Sequence, residues 1–111
     1  MMLDSRHLEI VRAILLKYVP HYEVRMFGSR ANGVEKKHSD LDIVVMTSEP
    51  LSVKIMTDLR HNFSESNLPF KVDVIDWSAI NKNFKKIILQ SNYEILQQKQ
   101  KRSINVQRRS C

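Results

Sequence analysis

The sequence predicts a small α/β (α+β) domain, a mixed β-sheet with helices packed on one face. Three observations carry that prediction. The chain has 111 residues, which is room for one core and little else. Three short stretches, 22–27, 40–47 and 70–75, read as strands by alternation or β-rich composition. Before, between and after them, apolar residues recur at the spacing of a buried helical stripe.

Taken in order, Asp4 or Ser5 caps a first helix, because Val11, Ile14, Leu15 and Tyr18 fall at i, i+3, i+4 and i+7. Pro20 ends it. In 22–27, Tyr22, Val24 and Met26 share one face, with Glu23, Arg25 and Phe27 on the other. Residues 29–39 are polar and turn-like, with a short helical turn expected among them. In the second strand Leu41, Ile43 and Val45 face one way and Asp40, Asp42, Val44 and Met46 the other. Pro50 is expected to open a second helix, in which Leu51, Ile55, Leu59 and Phe63 recur every four residues. The third strand sets Lys71, Asp73 and Ile75 against Val72 and Val74. Asp76 or Ser78 is expected to cap a third helix carrying Ile80, Phe84, Ile87 and Ile88. Residues 93–96 read as a short strand or a helical turn. From Gln97 onward the Gln, Lys, Arg and Ser composition predicts a frayed tail. The domain is therefore placed at 1–96 and the basic tail at 97–111. Helices over the Leu41/Ile43/Val45 and Val72/Val74 face would leave the carboxylate face open to a ligand.

The formal net charge of +6 suggests nucleic acid, but its location removes that inference for the core. Residues 82–111 hold eight Lys/Arg against one acid, Glu94, whereas residues 1–81 hold ten against eleven. The basicity belongs to the tail, so direct nucleic-acid binding by the core is not expected. The single cysteine is Cys111, which leaves no internal disulfide and no cysteine-based metal site. No long uncharged apolar run predicts a membrane span, and residues 1–6 lack the pattern of a signal peptide. A cytoplasmic protein is expected.

The chemistry concentrates in residues 28–42. Both glycines of the chain, Gly28 and Gly33, fall there, and glycine serves where a backbone turns tightly or approaches a ligand closely. Backbone N–H groups at a strand-to-helix turn make an anion pocket, and the Ser29 hydroxyl adds a donor. No Gly-Lys-Ser/Thr follows, so this is not a Walker A loop. Asp40 and Asp42 share a strand face, and Asp73 has the parity to join them. Each alone is what the wet face of a sheet carries. Three like charges on neighbouring strands repel unless a cation lies between them. Oxygen ligands without cysteine favour Mg²⁺ or Mn²⁺, and a pair of such ions suits phosphoryl transfer. Asp76 is the competing third carboxylate, but alternation puts it on the Val72/Val74 face, where it suits a cap. Arg30 reads equally as a phosphate contact or a surface arginine. His38, two residues before Asp40, is either a loop residue or an added metal contact.

Gly28-Ser29, ten residues, then Asp40-Leu41-Asp42 at the head of an apolar strand resembles the signature of the DNA polymerase β-like nucleotidyltransferase superfamily. Within it, Gly28-Ser29-Arg30-Ala31 and Lys71-Val72-Asp73-Val74-Ile75-Asp76 look like the minimal nucleotidyltransferase (MNT) family. The resemblance spans residues from about Asp4 to Leu96. It implies the polymerase β-like fold, with Gly28 and Ser29 on the β- and γ-phosphates of a nucleoside triphosphate, chiefly ATP, and Arg30 beside them. It implies two Mg²⁺ ions on Asp40 and Asp42, and Asp73 as the third carboxylate that helps activate the acceptor hydroxyl. Since the chain offers no second domain for the acceptor, the resemblance also implies a separate all-helical HEPN-type partner encoded nearby. The expected activity is transfer of AMP to that partner, by an antitoxin that silences a HEPN toxin. Two alternatives stay open: the catalytic subunit of a two-component enzyme acting on a small molecule, and a non-catalytic antitoxin acting by binding.

Overall fold

A computed structural model describes residues 3–28 and 40–100. The first helix, α1, runs Ser5–Tyr18; the Asp4 carboxylate accepts from the Arg6 N–H at 2.8 Å and caps it. Val11 and Leu15 are fully buried, and Ile14 and Tyr18 pack beside them, so the predicted stripe is the buried one. Strand β1 covers Val24–Phe27 and β2 covers Leu41–Val45. Helix α2 spans Val53–Ser64. It begins later than expected, because the Ser52 hydroxyl accepts from the Ile55 N–H and supplies the cap. Pro50 lies outside the helix, and Leu51 spends its N–H on the Asp76 carboxylate at 2.6 Å.

Strand β3 is Val72–Asp76, two residues later than expected at its start and one at its end. A 3₁₀ turn, Trp77–Ala79, follows, and the third helix, α3, is delayed to Lys82–Gln90. Its cap is Asn81, whose side chain accepts from the Phe84 N–H at 2.8 Å; neither Asp76 nor Ser78 caps it. Residues Tyr93–Gln97 form a strand, β4, with no helical turn. Gln97, expected to begin the tail, is thus the last residue of β4. Its side-chain amide donates to Val19 O at 2.8 Å and Tyr22 O at 3.0 Å.

The four strands form one sheet in the order β3-β2-β1-β4. β1 is antiparallel to both β2 and β4, whereas β2 and β3 are parallel, so the sheet is mixed. The parallel pair needs a crossover, and α2 supplies it. α1 and α2 pack on one face over Val24, Met26, Leu41, Ile43, Val45, Val74 and Leu96. The opposite face carries a smaller cluster in which Phe27, Val44 and Ile88 meet Ile75, Trp77 and Phe84. There α3 forms a wall beside the carboxylates, so that face is open only in part. No described helix is long and apolar enough to cross a membrane.

Candidate active site

The site is built on one row of the sheet. Phe27 of β1 is in register with Asp42 of β2, and Asp42 with Asp73 of β3. Residues in one row share a face, so the alternation that pairs Asp42 with Asp73 is realised in space. Asp40 lies two residues before Asp42, just ahead of β2, and is exposed. Asp76 is elsewhere. It is 7% exposed and accepts from the Thr47 hydroxyl at 2.5 Å and the Leu51 N–H at 2.6 Å. By position, Asp73 and not Asp76 stands beside Asp42.

Burial raises the Asp42 carboxyl above the usual carboxylate range, and the neighbouring charges of Asp73 and then Asp40 push it the same way. An acidic group held where its ionised form is disfavoured, between two more acids, is a place that gains from a cation. Lys71 Nζ lies 3.7 Å from Asp73 Oδ1, but the lysine is largely solvated and the carboxylate partly so, and this pair screens the site weakly. Among the described residues, no three His, Cys, Asp or Glu side chains already cluster at ligand spacing. What the carboxylates offer is hard oxygen donors on one face, the donor type that magnesium or manganese prefers.

Gly28 closes the other side of Asp42. Its φ is +84°, in the left-handed region, and a Cβ there would stand 2.8 Å from Asp42 Oδ2. Only glycine allows the chain to turn this close to the carboxylate. Ser29, Arg30 and His38 lie outside the described residues. Asp42 and Asp73 open into a cavity of about 950 Å³ that extends along β3, with Phe27, Phe84, Lys71 and Arg60 in its lining. Alternation put Phe27 and Lys71 on the site face without marking them as functional. Phe84 was legible only as part of an apolar helix stripe, and Arg60 carried no signal.

The "Polymerase beta, Nucleotidyltransferase" family model matches residues 11–101 of this chain. The chain is 42% identical over 99 residues to the "Probable protein adenylyltransferase MntA" of Haemophilus influenzae, covering 89% of this chain and 86% of that protein. Its fold is similar to that of a toxin–antitoxin solved with AMP-PNP, with a TM-score of 0.67, 21% identity and coverage of 80% of this chain and 71% of the other. It is also similar to a chain in a complex of tri-AMPylated Shewanella oneidensis HEPN toxin with MNT antitoxin. There the TM-score is 0.62 at 18% identity, over 85% of this chain and 71% of that one. At those identities the structural likeness speaks for the fold. The family match and the curated relative speak for the sequence: the chain belongs to the polymerase β nucleotidyltransferase family and is a homologue of MntA.

Proposed function

We propose that this chain transfers AMP from ATP to a hydroxyl on an all-helical HEPN-type partner protein, and in doing so acts as the antitoxin of a toxin–antitoxin pair. The observation that carries the reading is the row itself, with Gly28 turned tightly against Asp42 and Asp73 beside it on the parallel strand. The 42% identity to a protein named as an adenylyltransferase supports the protein acceptor. The small-molecule and contact-only alternatives have no observation of their own.

In this reading the Gly28 backbone and the Ser29 hydroxyl hold the β- and γ-phosphates, with Arg30 against them. Asp40, Asp42 and Asp73 are the ligands for two Mg²⁺ ions, with Mn²⁺ as a substitute. When bound, such ions neutralise the charge of the triphosphate. The acceptor oxygen bonds to the α-phosphorus, the bond from that phosphorus to the bridging oxygen breaks, and pyrophosphate leaves. Asp73 accepts the hydroxyl proton and passes it to solvent. Positioning supplies most of the rest, since entering and leaving oxygens must be held in line. We assign the protein to the cytoplasm, where ATP and a HEPN toxin would both be met.

Incubation of the purified chain with α-labelled ATP, Mg²⁺ and the HEPN-type product of the neighbouring gene tests this. Label is expected on the partner, and an Asp40→Asn/Asp42→Asn variant is expected to lose it by at least about 10²-fold. Protection of the partner by that double variant without label would instead favour neutralisation by contact. Label that appears only on adding a small hydroxylated compound would move the acceptor away from protein.

A further inference from the structure

β3 is an edge strand, and its outer side runs along the same cavity that holds Asp42 and Asp73. The direction of its backbone groups is fixed by two hydrogen bonds. Leu41 N–H donates to Lys71 O at 2.9 Å, so the carbonyl of Lys71 points inward, toward β2. Alternation then turns the N–H and C=O of Val72 and Val74 outward. Arg60 agrees with that parity from outside: its Nη2 donates to Val74 O at 3.2 Å. An exposed row of backbone donors and acceptors is a template for strand addition. Here that template is the wall of the active site.

From the site's geometry and this edge we infer that the acceptor enters as an extended segment outside the helices of the partner protein, a loop or a terminus, paired along the outer edge of β3 at Val72 and Val74. This rests on the adenylyl-transfer reading above. Two arguments select this occupant. In-line displacement puts the entering oxygen on the side of the α-phosphorus away from the leaving pyrophosphate. The sheet order places Gly28, at the end of β1, on one side of Asp42 and β3 on the other. If the phosphates lie on Gly28, the acceptor comes over β3. The second argument is register. A strand added at this edge continues the row Phe27–Asp42–Asp73 by one position, about 4.8 Å further on. The residue standing there shares the face of Asp73, so a side-chain hydroxyl at that position meets the carboxylate that takes its proton. Arg60, occupying Val74 O, bounds the pairing at its far end.

Val72→Pro is the direct test. It removes an outward N–H and leaves the β2 ladder intact, the one kind of strand position that tolerates proline. With the HEPN-type partner as acceptor, the KM for partner is expected to rise at least tenfold while ATP affinity stays within twofold. Amide exchange measured by NMR on the unaltered chain, saturated with partner and AMP-PNP, provides a second reading that needs no variant. The Val72 and Val74 amides are expected to slow at least tenfold. A folded Val72→Pro with unchanged KM, or both amides exchanging at their free rates in the saturated complex, overturns the inference. If the variant does not fold, the exchange result decides alone. The two readings fail separately: transfer by the unaltered chain with an unpaired β3 edge overturns only this one, whereas no label on the partner at all overturns adenylyl transfer.

Discussion

Asp42 carries the electrostatic tension of the site, and its sign gives a prediction. Its carboxyl is raised by burial first and by Asp73 and Asp40 next, so the folded state holds that proton more tightly than the unfolded chain. Stability is then lost as pH rises from the ordinary value of 3.8 through the raised one, and the ionised form is a cost at neutral pH. Asp42→Asn, without metal, is expected to raise the melting temperature by roughly 1–3 °C at pH 7, solvent screening keeping the gain small. The gain should shrink as pH falls below 4, and transfer should drop by at least about 10²-fold. Thermal melts across pH beside a label assay check both, and a variant that melts lower at pH 7 would contradict the electrostatic account. Gly28→Ala works from the other side. An L-residue at φ +84° is strained by about 1–2 kcal/mol, and its Cβ would force the Asp42 carboxylate to move. Denaturant unfolding should show that loss, with transfer falling further than stability explains.

The strands hold the site, and the parts of them that alternation encodes were readable beforehand. Side chains repeat every two residues, which sets Asp42 and Asp73 on one face, whereas Asp40 falls just ahead of β2. Their row was not readable. Parity says which face a residue takes, but only pairing says which residue stands beside it, and the parallel β2/β3 register depends on the α2 crossover. Asp76 shows the same limit. A carboxylate just after a strand looks like a helix cap, yet its partners lie 25 and 29 positions away, at Leu51 and Thr47. Local signals do not contain such distances. The same network makes a prediction for the β3 end. The Thr47 hydroxyl gives its one proton to Asp76 and accepts from the Ser78 N–H at 3.0 Å, so Asp76→Ala takes away the acceptor of that proton and strands the Leu51 N–H. A loss of about 2–4 kcal/mol is expected in urea unfolding. If Asp76 were instead the third carboxylate, Mn²⁺ binding would fall with it; binding is expected to be unchanged.

At the scale of the whole molecule, the open point is where the domain ends. Composition put the boundary after residue 96, since Gln97 opens a run of glutamines and bases. Composition misses that one of those glutamines is a structural clasp. Gln97 ends β4, pairs with Val24, and ties the turn between α1 and β1 through Val19 O and Tyr22 O. Gln100 adds a backbone bond to Pro20 O at 3.3 Å. β4 is also what stands between β1 and solvent, and Leu96 from it is 1% exposed in the main core. We therefore place the end of the domain at about Gln100. Removing residues 101–111 takes away Lys101, Arg102, Arg108 and Arg109 and none of these bonds. That truncation should keep stability within about 0.5 kcal/mol. Ending the chain at Leu96 removes both clasp bonds and the last ladder position of β4, at an expected cost of about 2–3 kcal/mol. Unfolding curves of the two truncations separate a domain that ends at Leu96 from one that needs Gln97. Equal stabilities would return the boundary to where composition put it.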